Sequence, residues 1–472
     1  MGPSAFIKRN VAVAAIAATL ALCIAAPAFA ATKRVTTGEN GVGVIVPLKK
    51  ATGPHAIAVP PRNGSAILQD DKIVYTPDAG FTGLDSILYT SQGSTKLNTV
   101  MITVAPDAAT AIAPPTVSIV NNVLVGADSK PFMVRGLIMR PVIAPSATVP
   151  APFKHFDDAE LSAAAAWGAN TVRLLASQGA LDPLGPNYSA QYVQAVANAA
   201  TQVLEHGFVL IIGVNDEPTD DTTTTRNCLP TAATQRAWAT LLAMPFADAA
   251  NEGSVLLELF NEPVTADKSA ASWQLWQNGG TVAQYTAGVG TCLGGDVVGM
   301  NTLIADVRTA GAQNIVIADG LGWAHWLNPK FPVTDSLNRV AYAAHPFLEN
   351  WTGFALNGDP AHDTPILNAA FGNMQSQGPV IATAVGGGGG SSGTDAEDCF
   401  ANAPQIMPTL MAYLWQNNMG AVGWAFDLPP HSLTTGWGYN PTSYVDYQCP
   451  TDTSPGQGGP GELFQQWFAT GN

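Results

Sequence analysis

Between residues 31 and 105 apolar and polar positions alternate over short runs. Lys72-Ile73-Val74-Tyr75, Ser86-Ile87-Leu88-Tyr89 and Val100-Met101-Ile102-Thr103-Val104 are of this kind, and Gly, Pro, Asn and Asp separate them. Short alternating runs with a turn signal roughly every ten residues predict a small all-β sandwich. From 117 onward the pattern changes. A hairpin-like opening over Val117–Arg140 leads into continuous apolar runs such as Phe208-Val209-Leu210-Ile211-Ile212, each followed by an amphipathic stretch. Strands buried on both faces read as unbroken apolar runs, as in a parallel sheet.

Strands are predicted at Met133–Arg140, Asn170–Ser177, Phe208–Asn215, Val255–Glu262, Asn314–Asp319, Val340–Phe347, Pro379–Gly386 and Ala421–Asp427. Helices are predicted among Asp158–Trp167, Ser189–His206, Gln235–Ala247, Asn301–Ala310, Asp363–Met374 and Pro404–Asn417. Eight strand–helix units are the count of a (β/α)8 TIM barrel, here spanning residues 117–472. The stretch 106–116 is rich in Pro and Ala and reads as an exposed, semi-rigid linker.

The first 30 residues stand apart. Lys8 and Arg9 precede an uncharged run, Val11 to Ala26, that closes on Ala28-Phe29-Ala30. This is the three-part pattern of a secretory signal peptide, residues 1–30, and it predicts a secreted protein, extracellular or periplasmic. The apolar run is short of the ~20 residues a membrane span needs.

Composition narrows the partners. The chain has 472 residues, a net charge of −15 and only 12% charged residues beside 47% hydrophobic ones. Such a chain folds, and it lacks the basic patches that nucleic acid or an anionic membrane would require. Neutral ligands remain. Cys228, Cys292, Cys399 and Cys449 follow the signal, an even number suited to an oxidising compartment. Cys228 with Cys292 and Cys399 with Cys449 is the preferred pairing of the three that four cysteines allow. With no CxxC and no His pair at i, i+4, no metal is predicted and no cofactor is implied. The run Gly386–Gly390 lacks the Lys-Ser/Thr of a phosphate loop and reads as a flexible loop.

Functional groups of such a barrel lie at the carboxyl ends of its strands. The fourth strand runs Leu257-Glu258-Leu259-Phe260-Asn261-Glu262-Pro263 and so sets Glu262 at the mouth; the plain alternative is a Glu that caps the next helix. Cleaving a glycosidic bond takes two carboxyls across the sugar, one of which keeps its proton near neutrality in a partly desolvated setting. Trp323, Trp326, Trp351, Trp424 and Trp437 fall in or near the loops on the same side, where flat rings can pack on sugars.

These segments resemble glycoside hydrolase family 5, the cellulase and mannanase family of retaining enzymes, over roughly residues 117–470. Gly168-Ala169-Asn170-Thr171-Val172-Arg173 is similar to the second-strand segment whose arginine supports the catalytic carboxylates. Asn261-Glu262-Pro263 matches the motif in which Glu is the general acid/base and Asn binds the sugar 2-hydroxyl. His345 matches the strand-six histidine, and Trp424 the strand-eight tryptophan that stacks on sugar. Separately, Tyr75 to Ser86 resembles the repeat of bacterial cadherin-like and immunoglobulin-like modules.

The resemblance breaks where the family carries its nucleophile. A Glu is expected at the end of strand seven, and Ala384 stands there. The strand-six tyrosine that bonds this Glu in relatives is Phe347, and a strand-three histidine is replaced by Asn215. Three explanations remain open. Asp395, Glu397 or Asp398 can supply another base for direct attack by water; the barrel can bind polysaccharide without turnover; or the alanine was introduced deliberately. The resemblance therefore implies hydrolysis of O-glycosyl bonds in β-linked polysaccharide, with Glu262, Asn261, Arg173 and His345 as catalytic group and Asn215, Trp323, Trp326 and Trp424 facing substrate. Retaining turnover is expected to be impaired. A surface-structural or adhesion protein is the remaining class, in which the N-terminal module contacts a surface or another protein.

Overall fold

A computed structural model of the chain describes residues 32–38, 44–48, 54–69, 72–81, 83–91, 98–105, 112–140, 156–216, 225–287, 290–348, 355–386, 403–427, 433–436, 438–442 and 460–470. The signal segment, Trp351, Trp437, Asp395, Glu397, Asp398, Cys399 and Cys449 all lie outside the described residues.

The N-terminal module is a sandwich of two sheets. One joins Thr32–Gly38, Asn98–Ala105, Gly83–Ser91 and His55–Val59 in that order, and the other joins Val44–Pro47, Lys72–Pro77 and Gly64–Gln69. Lys72–Pro77 alternates exposed and buried positions along its length, so Ile73 and Tyr75 meet Val46, Ile87, Val100 and Ile102 in a core between the sheets. Asp85 is buried there and fully used. Its carboxylate accepts the N–H groups of Arg62 (3.0 Å), Asn63 (3.0 Å) and Ser86 (2.8 Å) and the hydroxyl of Tyr75 (3.0 Å). Satisfying a buried carboxylate in this way is what makes it tolerable.

The second part is a closed barrel of eight parallel strands: β1 Arg135–Met139, β2 Thr171–Ser177, β3 Val209–Asn215, β4 Val255–Glu258, β5 Val316–Asp319, β6 Val340–Ala344, β7 Val380–Val385 and β8 Ala421–Gly423. The run on β3 shows why the sequence is continuously apolar. Val209 and Ile211 belong to the core inside the barrel, while Leu210 and Ile212 belong to the core between barrel and helices.

Several boundaries differ from the sequence reading. The fourth strand stops at Glu258, the sixth at Ala344 and the eighth at Gly423, because at the mouth each chain departs from its neighbour's ladder. The predicted helix 235–247 is a helix over Ala232–Leu241 followed by a short 3-10 turn that begins at Pro245, a residue that cannot continue a helix. Among the described residues the connection from β5 to β6, residues 320–339, carries no helix, so the barrel is not eight regular strand–helix units. In compensation, two helices, Ala270–Asn278 and Met300–Thr309, separate β4 from β5. The helix Pro460–Thr470 follows β8.

Residues 112–116 are not a free spacer. Ile112 N–H donates to Glu205 O (3.0 Å), and the hydroxyl of Ser254 donates to Pro115 O (2.9 Å), which fastens this stretch to the amino-terminal end of the barrel. No helix among the described residues is long and apolar enough to cross a membrane.

Candidate active site

Three residues of one short segment build the mouth of β4. Glu258, the last residue of the strand, is wholly buried, and Oε2 accepts the Nε–H of Arg173 at 2.6 Å. Gly213 on β3 makes the space: a Cβ there would meet Glu258 Oε2 at 2.7 Å. Asn261 follows, with Oδ1 accepting from Arg173 Nη2 at 2.7 Å and Nδ2 donating to Asn215 Oδ1 at 3.2 Å. Arg173, 1% exposed, thus ties β2 to β4 by two charge-assisted bonds.

Glu262 comes next and points the other way. Its φ is +53°, in the left-handed region, and its N–H donates to Asp319 Oδ2 at the end of β5 (3.0 Å). Oε1 lies 2.9 Å from His345 Nδ1, and His345 Nε2 lies 2.9 Å from Thr383 Oγ1 on β7. Glu262 keeps 22% of its side chain exposed while His345 is fully buried, so the carboxyl is partly open and the imidazole backs it. The helix after this segment is capped by Ser269, whose Oγ accepts from Ser272 N–H, so Glu262 caps no helix.

The electrostatics suit a proton donor. Burial raises the Glu262 pKa above the ordinary carboxyl value, and the positive charges of Arg226 and Arg173 pull part of that back. Burial, then the charge of Arg173, pushes His345 down to about 3, and burial pushes His325 down to about 4. Both imidazoles are neutral at physiological pH.

Opposite, β7 carries a bulge. Ala382 pairs with Ala421 and Val385 with Gly423, so Thr383 and Ala384 together face one residue of β8. Such an irregularity re-aims side chains beside a site. Past it Val385 packs into the outer core, whereas Ala384 joins the inner core against which the partly buried Phe347 and Trp424 rest. The Phe347 and Trp424 rings meet edge-on at 6.4 Å. Position 384, where the sequence reading expected a carboxylate, holds a methyl group in an apolar wall.

The family described as Cellulase (glycosyl hydrolase family 5) matches residues 144–428, more than half of the chain, and the family described as Bacterial Ig domain matches residues 25–105. The chain belongs to glycosyl hydrolase family 5. Its barrel is similar to the native β-glucanase of Saccharophagus degradans, at 18% identity and a TM-score of 0.53 over 77% of this chain and 96% of that one. The same β-glucanase in complex with cellotetraose gives 18% and 0.52 over the same shares. A hyperthermostable endocellulase gives 14% and 0.50, over 71% of this chain and 98% of that one. At these identities the likeness speaks for the fold. No curated protein matches the chain.

In this family 5 barrel the predicted residues divide. Hydrogen bonds join Arg173, Asn261 and Asn215 in one group and Glu262 with His345 in another, and the adjacent residues Asn261 and Glu262 bring the two groups to one mouth. Trp424 sits beside Ala384, with Arg140 over its ring at 5.9 Å. Trp323 packs on the Cys228–Cys292 disulfide, which is formed as expected. Trp326 packs against the outer core, and Lys268 lies 4.8 Å over its ring, so one face of that indole is already taken.

The sequence reading missed five residues. Glu258, Asp319 and Thr383 line the layer behind Glu262, Arg226 acts on it through charge, and Asp216 follows Asn215 at the end of β3. Asp216 accepts from Gln178 Nε2 (2.7 Å) and Asn227 N–H (2.8 Å), and burial pushes its pKa up to about 6. The available signal was an acidic residue ending an otherwise apolar strand, as at Glu258 and Asp319.

A disulfide-bound insertion forms one wall. Cys292 pairs with Arg226 in a short parallel ladder, Val264 N–H donates to Cys228 O (2.8 Å), and Tyr285 donates to Val264 O (2.6 Å). Cavities of about 210 and 260 Å³ flank Tyr285, and neither is lined by Glu262. Donor atoms of Glu258, Asp319 and His345 all lie within 4.8 Å of one another, a set able to hold a cation that the spacing rules did not foresee.

Proposed function

We propose that the protein is exported and binds β-linked glucan in the cleft at the carboxyl ends of the barrel strands, with Glu262 as the general acid/base of a glycosidase whose retaining nucleophile is missing. The observation that carries this reading is the Glu262–His345 contact at the mouth, 2.9 Å, with the carboxyl partly open and the imidazole sealed behind it. Asn261 positions the sugar, His345 holds Glu262 from behind, Arg173 holds Asn261, and Trp323, Trp326 and Trp424 supply flat apolar faces. The structural neighbours agree in kind, one being a β-glucanase crystallised with cellotetraose.

Retaining cleavage needs a carboxylate ~5–5.5 Å from the acid/base, and inversion needs one at ~6.5–9.5 Å with a water between. Ala384 offers neither a nucleophile nor a base. The test is chemical rescue on an activated aryl β-glucoside. Azide or formate is expected to enter the space beside Ala384 and restore cleavage, with the anion captured on the sugar, and Ala384→Glu is expected to do better. Rescue that persists in Glu262→Gln on a substrate with a poor leaving group overturns the assignment of the acid. Tight oligosaccharide binding without any rescue favours a non-catalytic polysaccharide-binding protein. Neither rescue nor binding favours a surface-structural or adhesion role. Turnover by the unaltered chain with inversion points to another base, for which Asp216, Asp395, Glu397 and Asp398 are the variants to make.

A further inference from the structure

Behind Glu262 three strands deliver ionisable groups to one dry layer. Glu258 comes from β4, Asp319 from β5 and Arg173 from β2, and His345 follows β6; none is more than 1% exposed. The guanidinium satisfies Glu258 Oε2. Glu258 Oε1 has no hydrogen-bond partner, and neither has Asp319 Oδ1. One carboxylate oxygen of Glu258, one of Asp319 and a ring nitrogen of His345 lie within 4.8 Å of one another. Two carboxylates so close in a low-dielectric layer repel unless a proton or a cation lies between them. Arg173 offsets one negative charge, and the neutral His345, whose Nε2 is 3.7 Å from Asp319 Oδ2, offsets none. The charge balance is one proton short.

Asp319 is also tied to Glu262. Its Oδ2 accepts the Glu262 N–H at 3.0 Å, and its own carbonyl accepts the indole N–H of Trp276 at 2.9 Å. Glu262 holds a φ of +53°, a conformation that costs a non-glycine residue and persists only where its surroundings impose it. The next residue, Pro263, has no N–H to share in that task.

We propose that Asp319 is the positioning residue of Glu262: it remains an un-ionised carboxylic acid, donates its Oδ1 proton to Glu258 Oε1, and holds the Glu262 N–H on Oδ2. This rests on the reading of Glu262 as acid/base. A neutral Asp319 fills both orphan positions at once. It also spares Glu262 a second negative charge nearby, leaving Arg173 and Arg226 to set how tightly Glu262 holds its proton. Burial, with the nearby negative charge of Glu258, drives the Asp319 pKa in the same direction, well above the ordinary carboxyl value. A cation on the same three donors is the other source of that missing positive charge, and the melting-temperature measurement below separates the two.

The test compares Asp319→Asn, which keeps an acceptor and a donor in place, with Asp319→Leu, which keeps neither. In protein carbon-13-labelled at the aspartate carboxyls, infrared spectra near neutral pH should show a protonated carboxyl band that Asp319→Asn abolishes. In protein labelled at the glutamate carboxyls, the NMR titration assigned by Glu262→Gln should shift in Asp319→Leu and stay in Asp319→Asn. Both readouts need no turnover, so they stand even where the glycosidase reading fails. Where azide restores cleavage, Asp319→Leu should lower kcat by about tenfold or more at a KM within about twofold, and Asp319→Asn should recover to within about threefold. Absence of the band, an unmoved Glu262 titration in Asp319→Leu, or an Asn variant as damaged as the Leu one overturns the proposal. So does a divalent cation that raises the melting temperature of the parent and not of Asp319→Asn.

Discussion

Glu262 Oε1 and His345 Nδ1 stand 2.9 Å apart, and the two side chains reach that point from different strands by different means. His345 extends one residue beyond β6, where its N–H donates to Ala324 O (2.9 Å) and its far nitrogen meets Thr383. Glu262 arrives four residues beyond β4 on a left-handed turn. A neutral imidazole can donate from only one nitrogen. With Glu262 ionised, Nδ1–H must donate to the carboxylate and Nε2 must accept from the Thr383 hydroxyl. That leaves Glu262 Oε2 for a substrate.

The apolar wall at Ala384 predicts that one substitution restores less than two. Ala384→Glu sets a carboxylate against Phe347 and Trp424 with no hydroxyl to bond it, whereas Phe347→Tyr returns one. We expect the double variant to exceed Ala384→Glu in aryl β-glucoside hydrolysis by about tenfold or more, since a hydrogen bond to a charged group is worth about 1.5–3 kcal/mol. Equal rates would mean that Phe347 does not face position 384.

Arg173 is buried with Glu258, so removing one partner strands the other. Arg173→Met is expected to cost about 3–5 kcal/mol in chemical denaturation, the usual range for breaking a buried pair. Arg173→Met with Glu258→Leu should recover much of that loss while oligosaccharide affinity stays low, since Asn261 has lost the bond that orients it. A double variant no more stable than the single one contradicts this account.

The Cys228–Cys292 bridge closes a loop with a sequence separation of 64. A chain-entropy estimate for a loop of that length is about 4 kcal/mol. Cys228→Ser with Cys292→Ser should lower the melting temperature and weaken oligosaccharide binding together, because Val264 and Trp323 rest on the bridge. Unchanged affinity in a folded double variant would show that this wall does not touch the ligand.

Glu160 supplies a pH signature separate from that of Glu262. It is wholly buried, neither carboxyl oxygen has a hydrogen-bond partner, and burial, then the charges of Asp427 and Asp157, raise its pKa from 4.5 to about 9. A raised carboxyl pKa gives stability that is fully present below the unfolded value and is lost as pH rises toward the folded one. Glu160→Gln should therefore match the parent near pH 5 and become increasingly more stable as pH climbs to 9. Parallel melting curves of the two proteins across that range would refute the burial argument.

The sequence by itself determined the architecture and picked out five residues that the structure gathers at one mouth. Its apolar runs follow from strands buried on both faces, and its alternating runs from a sandwich with one wet face, so period alone separates barrel from module at about residue 117. Arg173, Asn215, Asn261, Glu262 and His345 were legible because their motifs resemble those of the family and because each lies in, or within four residues beyond, a strand whose direction fixes the mouth. Only the tertiary structure decided which charges meet. Glu258 and Asp319 are four and fifty-seven positions from Glu262 along the chain, yet barrel closure puts them in one dry layer with Arg173. Strand period assigns a face to a residue and says nothing of its neighbour across the barrel. The bulge at 383–384 breaks even that rule, placing Ala384 on the inner wall by a shift of register that no alternation of residue types records.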